Sequence, residues 1–146
     1  MPDPHTLANH PHDAMLCILA KANAERIKAF AETLIPHLGE IAVLENRTGL
    51  VMLPMRDTAQ GVNFHLGEVL VSEARIAAGV HDGYGMRRGR DLEAAMAMAL
   101  IDLAVASGVS HDACSAFLDQ EGAAQAAADT DRLKRVEATR VDMETF

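Results

Sequence analysis

Aromatic residues are scarce: the 146-residue sequence has no Trp, one Tyr and four Phe, together 3% of positions. A core filled by large rings is therefore excluded, and aliphatic side chains, Ala and eight Met must do the packing. Cysteine is equally thin. Cys17 and Cys114 are remote in sequence and lie among apolar neighbours, without CxxC or zinc-type spacing, which predicts two reduced, packed thiols. Basic residues are outnumbered, 13 Lys+Arg against 21 Asp+Glu, for a formal charge of -8. That field is wrong for gripping a phosphate backbone over a broad surface, so nucleic-acid binding is not expected. The longest apolar run, Ala94 to Ile101, stops at Asp102. It falls short of the roughly 18 to 20 residues that cross a bilayer, so no membrane partner is expected.

What remains is a chain that is 49% hydrophobic and 23% charged, long enough for one core without disulfide or metal staples. Residues 1–12 carry three Pro and three His with little apolar content, which predicts a flexible tail followed by a single domain over 13–146. The stretch Ala14 to Ala20 loosely resembles the apolar part of an export signal. No Lys or Arg precedes Lys21, however, and the expected location is the cytoplasm.

From Asp13 the pattern is helical, with Ile27, Phe30, Ala31, Leu34 and Ile35 on one face, Asn23 capping a break, and Pro36 with Gly39 ending the run. The spacing then changes. Segments 40–45, 49–55, 62–71 and 72–86, separated by turns at Asn46 to Gly49, Asp57 to Gly61 and Ala78-Gly79, predict an antiparallel meander of about four strands. Pro54 cannot donate a ladder hydrogen bond, so its strand ends there or lies at an edge. Helix resumes at Asp91, a first-turn cap, with Leu92, Met96, Leu100 and Leu103 as the expected buried stripe. Ser110 opens a short helix. A last Ala-rich helix follows from Ala123, with Asp131 and Arg135 four apart and a sparse stripe of Leu133, Val136 and Met143. Helices, sheet, then helices make an α+β fold.

The groups that could carry chemistry are few. His5, His10 and His12 could chelate a metal, but the sequence sets no carboxylate or fixed outer shell beside them, so no metal site is assigned. His81-Asp82 and His111-Asp112 are adjacent pairs, which diverge on a strand or a helix and are not pre-aimed as acid–base dyads. No GxSxG, HExxH or phosphate loop is present, and Gly83-Tyr84-Gly85 lacks the rest of a dinucleotide fingerprint, so no catalytic residue and no cofactor is assigned. The strongest charge feature is Arg87, Arg88, Gly89 and Arg90 just before a helix start, where an anion or a partner's carboxylates could sit. Arg140 is a similar candidate contact.

Taken in order, Thr48-Gly49-Leu50-Val51, Phe64-His65-Leu66-Gly67-Glu68-Val69, Ala74-Arg75-Ile76, Gly83-Tyr84, Gly89-Arg90-Asp91, Ala99-Leu100-Ile101-Asp102 and Ala138-Thr139-Arg140-Val141-Asp142 resemble the PhnG subunit family of the bacterial carbon-phosphorus lyase system. The resemblance spans about residues 47 to 143. It departs from the family at Ala94, where relatives commonly carry His, and at Met143 and Glu144, where they carry aromatics.

The resemblance implies an accessory subunit in a core complex of four subunit types, two copies of each. It also implies a nucleosidase-like partner, an ATP-binding-cassette protein and a second copy of the chain. The implied reaction is displacement of adenine from ATP by an alkylphosphonate, giving ribose 1-phosphonate 5-triphosphate (α-D-ribose 1-methylphosphonate 5-triphosphate synthase), while a separate radical S-adenosylmethionine subunit cleaves the carbon–phosphorus bond. The residues agree with a subunit that has no cofactor of its own and lends apolar surface. Two other classes stay open: a free-standing small-molecule hydrolase using His81 or His111, and a regulator binding phosphate-bearing ligands through its arginines.

Overall fold

The computed structural model describes residues 4–7 and 9–141. Helices α1 (His12–Lys21) and α2 (Ala24–Leu34) lead through a short 3-10 turn (Ile35–His37) into strands β1 (Ala42–Arg56), β2 (Asn63–Ala78) and β3 (His81–Arg88). Helices α3 (Leu92–Ala106) and α4 (His111–Ala138) complete the expected α+β order. The strands form an antiparallel sheet ordered β1-β2-β3.

The sheet has three strands rather than four. The expected turn at Asn46 to Gly49 is extended, because Asn46, Arg47, Thr48 and Gly49 pair with Ala74, Glu73, Ser72 and Val71. An Arg47–Glu73 ion pair at 3.2 Å reinforces that pairing, and cross-strand contacts here override the local turn signal. The turn at Asp57 is present. Its carboxylate accepts hydrogen bonds from the Ala59 and Gln60 amides, both at 3.0 Å, which hold its pKa below the usual value, and Gly61 takes φ +69°. Pro54 lies on edge strand β1 at a register shift, so the ladder steps past its missing donor.

Helix α3 is the centre of the core. The expected single stripe is replaced by burial on every side, Ala94, Ala95 and Ala97 through Ala106 being buried, because the sheet covers one face and α1, α2 and α4 crowd the others. Gly83 and Gly85 explain how close the sheet comes. A methyl group on Gly83 would collide with the Ala99 carbonyl and the Leu103 backbone, and one on Gly85 with the Ala95 carbonyl and the Ala99 amide. These glycines therefore admit helix backbone to strand backbone, with small alanines opposite.

The other helices are fixed to this unit locally. In α2, Asn23 caps the Arg26 amide at 3.0 Å, while Ile27, Ala31 and Leu34 are buried at helical spacing. Phe30 stacks on Phe117 of α4 with centroids 4.4 Å apart. The short helix expected at Ser110 and the helix expected after Ala123 are one continuous α4, which Gly122 does not interrupt. Asp131 and Arg135 pair at 2.7 Å as their spacing implies. Leu133 and Val136 are exposed, and Met143 lies outside the described residues. Cys114 is buried, whereas Cys17 is exposed on the solvent side of α1.

The opening segment, whose composition predicts a tail, makes contacts with the domain. Among its described residues Leu7 is buried, and Leu7 and His10 exchange backbone hydrogen bonds of 3.2 and 3.0 Å. His5, His10 and His12 supply the reason, each reaching a carboxylate on α3 or α4.

Replacing Gly85 by Ala should therefore destabilise the fold by about 1 to 3 kcal/mol through overpacking. Gly49→Ala, whose added carbon meets nothing within 4 Å, should cost far less. Urea unfolding of the two variants checks the contrast; equal midpoints would show that the sheet and helix need no such close approach.

Candidate functional site

The arginine cluster separates on folding. Arg87 turns inward from β3 and its guanidinium donates to the carbonyls of Leu19, and of Ala22 at 2.5 Å, closing the C-terminal end of α1. Burial pulls its pKa down from the ordinary arginine value, against the opposing charges of Asp91 and Glu121. Arg88 is exposed and lines a cleft between α1 and α4 with Lys21, Gln125, Asp129 and Arg132. Arg90 is exposed on the approach to α3. Gly89, at φ +104°, donates its amide to Leu70 O at 2.9 Å and accepts from Ser72 Oγ at 2.7 Å. Arg140 pairs with Glu137 at 3.3 Å, far along the chain from these.

The helix start beside them already holds a negative charge. Asp91 accepts the Ala94 amide at 2.9 Å, and Lys28 Nζ lies 2.9 Å from its other oxygen. These contacts, the Lys28 hydrogen bond first, hold the Asp91 carboxyl below the usual range. The four residues 87–90 thus do not converge on one anion; Arg87 and Gly89 serve the fold, and Arg88 and Arg90 face solvent.

The histidine–aspartate neighbours also part. His111 Nε2 donates to Val105 O at 2.9 Å, closing the end of α3 instead of meeting Asp112. Asp82 lies 3.9 Å from His5 Nε2. Neither arrangement supplies a base aimed at a nucleophile. The Cys114 thiol is pushed up to about 11 by burial, which keeps it protonated and inert.

The imidazoles that do converge are the ones the sequence left without a partner. His5 Nδ1 and His12 Nε2 each lie 3.0 Å from the same oxygen, Asp102 Oδ1. Asp102 Oδ2 accepts the Tyr84 amide at 2.9 Å, and the Asp102 side chain is 1% exposed. His10 pairs separately with Asp119 at 2.8 Å. The missing carboxylate is Asp102, and its signal is an acid that interrupts the apolar stretch 94–106 of α3.

A second buried acid clamps the helices. Glu121 on α4 accepts from Arg26 Nε at 2.5 Å and Nη2 at 3.2 Å, and from the Asn23 amide at 3.2 Å. Its pKa is lowered chiefly by the Arg26 hydrogen bond. Because the folded-state pKa values of Glu121 and Asp91 are depressed, their stabilising contribution is complete above the ordinary carboxylate range. It is lost as pH falls through the lowered folded values. Thermal unfolding should weaken from pH 7 toward pH 3, and Glu121→Gln should flatten that dependence; an unchanged slope would contradict the clamp.

One extended exposed feature among the described residues is apolar. Beyond the last pair of β2 with β3, Val71 with Arg88, the partners Leu50–Leu70 through Arg56–Asn63 continue as a two-stranded ribbon. Leu50, Met52 and Leu66 are 61, 57 and 59% exposed, and Val51, Leu53, Met55 and Phe64 are exposed beside them. At the ribbon's base a groove runs between α2, α3 and β1, lined by Ala31, Ile35, Asn46, Met96, Ala97 and Leu100.

The exposed end of α4 adds a second unpartnered surface, including Leu133 and Val136. No helix among the described residues is long and apolar enough to cross a membrane. No curated protein matches the chain. The family model described as phosphonate metabolism protein PhnG matches residues 11–146, nearly the whole chain. The chain belongs to the PhnG family of phosphonate metabolism proteins.

Proposed function

We propose that this protein is an accessory subunit of a cytoplasmic carbon-phosphorus lyase core complex, lending contact surface to partners that carry the reaction. The observation that carries this reading is the ribbon formed by the outer halves of β1 and β2, exposed and apolar on both faces. A two-stranded ribbon is marginal in water on its own, and apolar area of this kind is favourable when a partner covers it. Register places Leu50 and Met52 on one face and Val51 and Leu53 on the other, so the ribbon suits insertion between surfaces.

The partner in this reading is foremost the nucleosidase-like subunit, with a second copy of this chain in the same assembly. The assembly transfers an alkylphosphonate onto ATP with displacement of adenine. The chain contributes shape and apolar contact, not reacting groups. This agrees with the engagement of Arg87, His111 and Cys114 in the fold, which takes His111 from the hydrolase reading and Arg87 from the phosphate-regulator reading.

Co-expression with the nucleosidase-like subunit should recover both proteins together. The double variant Leu50→Asp, Met52→Asp should lower recovery about tenfold or more, a loss of roughly 1.4 kcal/mol or greater, while far-UV circular dichroism stays unchanged. Undiminished recovery, or a lone monomer that never co-purifies with that subunit, would refute the assignment.

A further inference from the structure

We propose that His5, His12 and Asp102 form a binding site for one divalent transition-metal ion, zinc foremost, which pins the opening segment onto α3. This inference is independent of the docking role. Three segments supply the donors: the residues before α1, the first residue of α1, and the middle of α3. The donor atoms all lie within 4.8 Å of one another, and both imidazole nitrogens stand 3.0 Å from Asp102 Oδ1. That separation matches ligands at about 90° around an ion whose bonds are about 2.0 to 2.2 Å long, and opening it by a few tenths of an ångström gives the tetrahedral edge.

The surroundings are those of a built site. Asp102 is 1% exposed, and its second oxygen is held by the Tyr84 amide at 2.9 Å, so the carboxylate cannot swing away. His5 Nε2, its other nitrogen, lies 3.9 Å from Asp82 Oδ1, within ion-pair range and beyond hydrogen-bond distance. The His5 and His12 rings lie 4.6 Å apart, tilted by 33°. With side-chain exposures of 18 and 30%, both imidazoles are partly open to solvent, from which an ion can reach them.

Two neutral imidazoles and one carboxylate are a donor set suited to zinc, with three protein ligands and an open position. The same set also accommodates ferrous iron. A divalent ion here adds a strong partner to the buried Asp102 carboxylate. It also offsets the entropy of ordering the segment before α1.

The test uses the full-length chain without an affinity tag, stripped with a chelator and titrated with Zn²⁺ against a chromophoric competitor, followed by thermal unfolding. One equivalent should bind per chain and raise the unfolding temperature. His12→Ala and Asp102→Asn should each weaken affinity at least tenfold, while His10→Ala, which removes an imidazole paired with Asp119 instead, should leave it unchanged. Since Asp102→Asn removes a buried charge and could fail to fold, His5→Ala provides a second exposed-side variant with the same expected loss. Absence of one-to-one binding would overturn the site. So would wild-type affinity in a folded Asp102→Asn protein, or equal losses in His10→Ala and His12→Ala, either of which marks loose chelation by neighbouring histidines.

Discussion

The close approach of β3 to α3 is the constraint on which the rest of the structure depends. Gly83 and Gly85 lie where no Cβ fits, against the carbonyls of Ala99 and Ala95. Dispersion falls steeply with separation, so bringing backbone to backbone gives small residues a packing density that their volumes alone would not supply. This is how a chain with 3% aromatic residues builds a core. It also sets Tyr84, between the two glycines, with its amide on Asp102, and its hydroxyl on Glu73 at 3.2 Å across the sheet.

A small core anchors only part of the sheet. Helix α3 covers the inner half, where Ser72, Ala74 and Ile76 are buried, while the outer halves of β1 and β2 run on without a third strand or a helix over them. The same division holds in α4: Cys114, Phe117, Leu118 and Glu121 are buried in its first part, and Leu133 and Val136 stand exposed further on. Apolar side chains therefore accumulate where this chain has nothing to cover them, which is the surface the proposed docking role uses.

Much of the fold was legible in the sequence because local signals and tertiary demands agree. Asn23, Asp91 and the Asp57 turn act as their residue types imply, and the spacing of Ile27, Ala31 and Leu34 marks the buried face of α2. Legibility ended where pairing overrode a local signal. Asn46 to Gly49 reads as a turn, yet its partners on β2 keep it extended. The all-round burial of α3 was hidden because alanine periodicity does not show how many neighbours a helix has. Of the candidate site, the arginines were visible as charges, but Arg87 was committed to the carbonyls of α1 by a contact more than sixty residues away in sequence. Asp102 was visible as an interruption of an apolar run, while its meeting with His5 and His12 depended on the path of the chain.

Amide hydrogen exchange over residues 49–56 and 63–70, measured on the chain alone and again with the nucleosidase-like subunit bound, tests the central claim most directly. The account predicts fast exchange at the ribbon in isolation, slow exchange throughout α3, and marked protection of the ribbon on binding. Ribbon amides that exchange at the same rate in the free chain and in the complex would contradict it.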